Sequence, residues 1–209
     1  MGASINTFAV ESMVDELAAL AGQDPYDFRR ARLTDARWIA VLEAVAGASA
    51  FASTAPAGTA RGIAIGTAFN TIVAMVVEVA GASLSSFSVR RVWVAVDCYL
   101  AVNPLNVEAQ IIGGVVHAMN AALYGQQVFT NGAAQRKNFN PSRMIRLNEM
   151  PQVSVTIMPP PVQTDRTLAI SGVGELGVPT FAPALANALF TLHPAARAHA
   201  AVLPQCHAG

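Results

Sequence analysis

Apolar positions recur every three or four residues at the start of the chain. Phe8, Val10, Met13, Val14 and Leu17 keep that period, with Glu11, Asp15 and Glu16 on the other side. The spacing predicts an amphipathic helix with its carboxylates outward, closed by Gly22. Asp24-Pro25 predicts a short second helix running to Arg32, with Asp24 as N-cap and Pro25 in its first position. Thr34 or Asp35 opens a third over residues 36–46. The Ala, Ser, Thr, Pro and Gly of residues 47–58 read as a linker.

Beyond Arg61 the pattern changes to that of strands. Residues 61–69 and 71–80 are rich in Ile, Val and Thr, residues 81–86 turn, and residues 88–97 continue with Val89, Val92, Val94 and Val96. Asn103-Pro104 breaks the run, and residues 107–124 form a long apolar helix ending at Gly125. Asn131-Gly132 predicts a hairpin turn between residues 127–130 and 133–137. Residues 152–158 are a further strand, residues 159–166 a proline-rich loop, and residues 183–192 an apolar closing helix. The fold class is therefore mixed α and β, in the α+β sense.

Composition sharpens this picture. The 209 residues suit one domain or two small ones, and 53% are hydrophobic while 12% are charged. Such a balance implies that part of the exterior is covered by another subunit or another piece of protein. Thirteen basic and thirteen acidic residues cancel, so no electrostatic feature points to nucleic acid or an anionic membrane. No apolar run suits a membrane span; residues 63–82 carry Asn70 and Glu78 and read better as strands. Cys98 and Cys206 are too few for a disulfide framework or for a zinc or iron–sulfur spacing. The compartment stays undetermined.

The most informative stretch is Ser171-Gly172-Val173-Gly174-Glu175-Leu176-Gly177-Val178-Pro179. It sets one carboxylate in a glycine-rich turn ahead of a helix. The glycines free the backbone to take positive φ and to approach a bulky ligand. On residue chemistry alone, a solvated Glu favoured by the helix dipole is the better reading.

Several blocks together carry a resemblance. Ala95-Val96-Asp97-Cys98, Val102-Asn103-Pro104, Val107-Glu108-Ala109-Gln110 and Gly113-Gly114 form one segment. Asn138-Phe139-Asn140 and Arg146-Leu147-Asn148-Glu149-Met150-Pro151 form another. Gly172-Val173-Gly174-Glu175 with residues 183–188 closes the set, and Phe8-Ala9-Val10-Glu11-Ser12 extends it to the start. In order and spacing these blocks resemble the C-terminal part of the molybdopterin-binding subunit of molybdenum hydroxylases, the xanthine oxidase and aldehyde oxidase relatives. The isoquinoline 1-oxidoreductase beta-subunit type is nearest in look.

The resemblance implies a C-terminal lobe of a molybdopterin-binding domain. Residues 1–46 would be a helical segment completing an upstream lobe, residues 47–58 a linker, and residues 59–209 the cofactor-binding lobe itself. Such enzymes hydroxylate an electron-poor carbon of an N-heterocycle or an aldehyde with oxygen from water. By the resemblance, Glu175 is the base that takes the proton from the attacking oxygen, in a dry pocket that suits it to neutral pH. Gln110 matches a pterin-contacting glutamine, although a helix residue capping a neighbouring backbone group reads as well. Gly172, Val173 and Gly174 would meet the cofactor by backbone, Gly113 and Gly114 allow close helix packing, and no protein side chain would bind the metal. His117 and Cys98 read as core residues. Tyr99 departs from the family pattern, which has a small Gly after Asp-Cys, and so do Pro141 and Ser142.

Glycine-rich strings of the Gly-Gly-Gly-Phe-Gly and Met-Gly-Gln-Gly types, which hold the cofactor in the family's upstream portion, do not occur here. The molybdenum–molybdopterin group is therefore expected to be shared with an upstream molybdopterin-binding piece. Iron–sulfur clusters would sit on a small partner subunit. The alternative is a non-catalytic remnant or interaction fragment with no bound cofactor.

Overall fold

A computed structural model describes residues 2–139, 142–160 and 170–194. The chain opens with three helices: α1 (Gly2–Leu20), α2 (Pro25–Arg30) and α3 (Ala36–Ala48). A meander of β1 (Thr59–Ala68), β2 (Thr71–Ser83) and β3 (Ser86–Asp97) follows, then the long helix α4 (Pro104–Tyr124). A two-residue-stranded hairpin, β4 (Phe129–Thr130) and β5 (Ala133–Ala134), turns at Asn131-Gly132 as predicted. Then come β6 (Gln152–Ile157) and α5 (Phe181–Leu192). Helix starts follow their caps. Asp24 accepts from the amides of Tyr26 and Asp27, Asp35 from Arg37 and Asn103 from Asn106. The proline-rich loop and Cys206 lie mostly or wholly outside the described residues, as do Asn140 and Pro141.

The main sheet runs β1-β2-β3-β6, with antiparallel β1–β2 and β2–β3 pairs and a parallel β3–β6 pair reached through α4. Both faces of β2 are covered. Val73, Met75 and Val77 point into the core shared with α4 and α5, whereas Ile72, Ala74 and Val76 meet Val41, Leu42 and Val45 of α3. A strand buried on both sides has no solvent face to alternate with, which is why residues 71–80 read as nearly unbroken apolar sequence. Helix α5 is buried on almost every side. It crosses β1 in backbone contact at Gly62, where a Cβ would stand 2.2 Å from the amide nitrogen of Ala188.

Helix α1 inverts the sequence expectation. Its buried positions are Thr7, Glu11, Asp15 and Ala18, while Ile5 (75% exposed), Val10 (57%), Met13 (53%), Leu17 (45%) and Leu20 (85%) face outward. The carboxylates turn inward because they have partners there. Arg29 of α2 donates from Nε to Glu11 at 2.8 Å and from Nη1 to Asp15 at 3.2 Å. Glu11 Oε2 also accepts the Ile65 amide of the edge strand β1 at 2.9 Å. Asn187 of α5 donates to the Ile63 carbonyl at 3.0 Å. Two edge groups that would otherwise lack ladder partners are thus satisfied by side chains, which closes that edge of the sheet. A buried charge is tolerated when it is paired and hydrogen-bonded, and this one is both.

Candidate functional site

The site begins at the turn between β1 and β2. Phe69 and Asn70 both take left-handed φ, 52° and 62°, as a two-residue hairpin turn requires. Asn accepts that conformation readily; for Phe it is an outlier held by its surroundings. Those surroundings are residues 171–172. The Gly172 amide donates to the Phe69 carbonyl at 3.3 Å. The buried Thr71 hydroxyl donates to the Gly172 carbonyl at 2.8 Å and lies 2.7 Å from Ser171 Oγ. The hairpin tip is thereby stapled to the stretch of chain that leads into Glu175.

The glycines of this stretch act through close approach, not through φ. Among the described residues the glycines with left-handed φ are Gly22, Gly58 and Gly132, so Gly172, Gly174 and Gly177 correct that part of the sequence reading. A Cβ on Gly172 would stand 2.9 Å from Phe69 Cβ. One on Gly177 would stand 2.4 Å from the Ile111 carbonyl oxygen of α4, and Gly114 meets Gly177 from the other side. Gly174 meets nothing within 4 Å. Val173 packs its half-buried side chain against the main core, so its backbone is what remains for a ligand.

Glu175 lines a cavity of about 340 Å³ together with Ala3 and Ser4 of α1, Phe69, His117 of α4 and Pro179. Three separate parts of the chain therefore converge on the carboxylate. Glu175 is exposed along this cavity, so the described residues do not supply the dry surroundings expected of it. His117, read from the sequence as a core residue, is exposed and lines the same cavity. Gln110 is exposed on α4 and is not part of the cavity lining. It stands two turns before His117 on the same helix face, roughly 10 Å along the axis. Gly113 lies between them and meets nothing within 4 Å. A polar and small stripe at 110, 113 and 117 on one face of the helix is the signal that could have found His117. Phe69 has no comparable signal.

These residues fit one side of a flat, hydrogen-bonding group such as a pterin. Gly113 and Gly174 leave open backbone, and an imidazole and a carboxylate line the cavity, with the Gln110 amide farther along the same face of α4. Among the described residues no three His, Cys, Asp or Glu converge as metal ligands, and no helix is long and apolar enough to cross a membrane.

A larger cavity, about 480 Å³, lies at the opposite end of the sheet beside the β2–β3 turn. Arg143 bridges to Glu149 and stacks on Tyr124, and Arg136 donates to the Tyr124 carbonyl at 3.1 Å. Burial, then the charge of Glu149, pushes the Tyr124 hydroxyl pKa upward.

Asp97 at the end of β3 ties the sheet to α3. Arg37 of α3 donates to Asp97 at 2.8 Å and stacks on the Tyr99 ring at 3.7 Å, and the Tyr99 amide donates to Asp97 at 3.1 Å. Tyr99 sits at φ 60°, a left-handed position suited to the glycine of the family pattern. Cys98 is buried, which raises its thiol pKa.

Comparison with known proteins places the fold and the family. Residues 9–151 match the model of the molybdopterin cofactor-binding domain. The beta subunit of isoquinoline 1-oxidoreductase from Brevundimonas diminuta is 38% identical over 186 residues, which cover 87% of this chain and 23% of that protein. A nicotinate dehydrogenase subunit of Pseudomonas putida is 30% identical, over 88% of this chain and 17% of that protein. The chain thus spans less than a quarter of the length of either relative. The crystal structure of the aldehyde oxidoreductase from Desulfovibrio desulfuricans superposes with a TM-score of 0.73 at 12% identity, covering 90% of this chain and 38% of that one. The fold is that of an aldehyde oxidoreductase-type domain, and the chain belongs to the molybdopterin cofactor-binding domain family.

Proposed function

We propose that this chain supplies the proton-accepting carboxylate, Glu175, and one wall of the pterin site of a molybdenum hydroxylase. Residues 59–209 form that wall, and residues 1–46, joined through 47–58, complete a lobe built with an upstream molybdopterin-binding part. The substrate class is an N-heterocycle, since both curated relatives are named for acting on one; an aldehyde is the alternative. The observation that carries the reading is the convergence of α1, the β1–β2 turn and α4 on Glu175, a carboxylate at the lip of an open cavity.

The molybdenum–pterin group, when bound, supplies the two-electron acceptor and the oxygen derived from water. This chain's part is to place groups around it. Glu175 would accept a proton from the oxygen nucleophile that the group supplies. The Gln110 amide can both donate to and accept from a pterin edge. The backbone at residues 172–174, held by Thr71 and Phe69, approaches the group where a side chain would stand in the way. Electrons would leave through iron–sulfur clusters on a small subunit. Without the upstream part the chain is expected to be inactive.

The test is Glu175→Gln in the assembled enzyme. Gln keeps the shape and cannot accept the proton, so turnover of an N-heterocycle panel should fall by about 10³-fold or more with molybdenum content unchanged. Near-normal turnover would remove Glu175 from the chemistry. Parallel loss of molybdenum and turnover would make its role structural.

A further inference from the structure

The outward face of α1 carries an apolar seam. Val10, Met13, Leu17 and Leu20 recur at i, i+3, i+7 and i+10, the spacing of a helix that packs against another element. All four are exposed, and no described element covers them. The four seam residues carry no charge: Glu11 and Asp15 face inward onto Arg29, and the half-buried Glu16 flanks the seam. Ala3, seven residues before Val10, continues this side of the helix and, with Ser4, lines the Glu175 cavity. A helix that turns two of its carboxylates inward and exposes an apolar stripe is suited to a protein partner.

We infer that this seam is the docking surface for the other part of the molybdopterin-binding subunit, and that its occupant also closes the mouth of the Glu175 cavity. The inference rests on the function proposed above. Two observations select this occupant. The chain spans 23% of the isoquinoline 1-oxidoreductase beta chain, so most of such a protein lies outside it. The seam also runs into the rim of the cavity in which Glu175 lacks cover, so one polypeptide laid along α1 supplies both. An uncharged seam excludes nucleic acid and anionic lipid and asks for an apolar protein face.

The probe is the Brevundimonas diminuta beta chain with the matched segment deleted, co-expressed with the full chain. Capture of the chain is expected, and Met13→Asp with Leu17→Asp should weaken it about tenfold or more. Leu147→Asp, an exposed apolar position off the seam, should leave it unchanged. Circular dichroism confirms that the double variant keeps its helices. Oxidation of Met13 in the wild-type chain gives a second readout: it should slow severalfold on capture. Absence of capture, capture indifferent to the seam variants, or unchanged Met13 oxidation would overturn the inference. So would self-association of the chain through the seam, which would make the occupant a second copy. Seam-dependent capture in a complex lacking pterin and turnover would leave the docking surface standing and remove the proposed function. A loaded, active complex with an oxidisable Met13 would do the reverse.

Discussion

Asp97 shows how a single residue couples two layers of this molecule. It ends β3 and is buried, yet Arg37 reaches it from α3. Burial alone would raise its pKa from 3.8; the hydrogen bonds from Arg37 and the Tyr99 amide and the Arg37 charge outweigh it, and the pKa is lowered. A depressed folded pKa stabilises the fold above the unfolded value, and that contribution is lost as pH falls through the folded pKa. Arg37→Ala is therefore expected to cost about 1–3 kcal/mol at neutral pH. The difference from wild type should shrink as pH falls below the ordinary carboxylate range and through the lowered folded pKa of Asp97. Urea denaturation across pH checks this; a pH-independent difference would show that the pair is not the source. At this scale the sequence is most legible where chemistry is local. The caps at Asp24, Asp35 and Asn103 and the turn at Glu175 follow from neighbouring residues alone. His117 does not, because apolar periodicity on α4 predicts burial all round, whereas the face bearing Gln110, Gly113 and His117 is open.

Elements are legible in their existence and less so in their orientation. Periodicity places every strand of the main sheet and every helix within a few residues. It cannot tell which face of α1 points inward. That depends on Arg29 arriving from α2 and on a β1 amide needing an acceptor, and both are tertiary facts. The two glycines of α4 separate packing from function in the same way. Gly114 lies against Gly177, where a Cβ would stand 2.9 Å from the Gly177 Cα. Gly114→Ala must push α4 off the Glu175 turn, at a cost of about 1–3 kcal/mol. Gly113 meets nothing within 4 Å, so Gly113→Ala should stabilise the isolated chain by up to about 1 kcal/mol through helix propensity. In the assembled enzyme the same methyl would project onto the open face beside Gln110 and should lower cofactor content. Thermal unfolding of the chain and molybdenum analysis of the assembly check the two halves separately. A destabilised Gly113→Ala chain would contradict the packing.

For the molecule as a whole, composition already implies a covered exterior, and the structure shows exposed apolar side chains on α1, at Phe69, at Val102 and Leu105 beside the start of α4, and at Phe129, Phe139 and Leu147. If this chain holds one wall of a shared cofactor site, molybdenum and pterin measured in the chain purified alone, and again in the chain purified with an upstream molybdopterin-binding part, will differ. Close to one molybdenum and one pterin per assembly are expected, and almost none on the chain alone. Stoichiometric cofactor on the chain alone, or an intact assembly that carries none, would contradict a shared site.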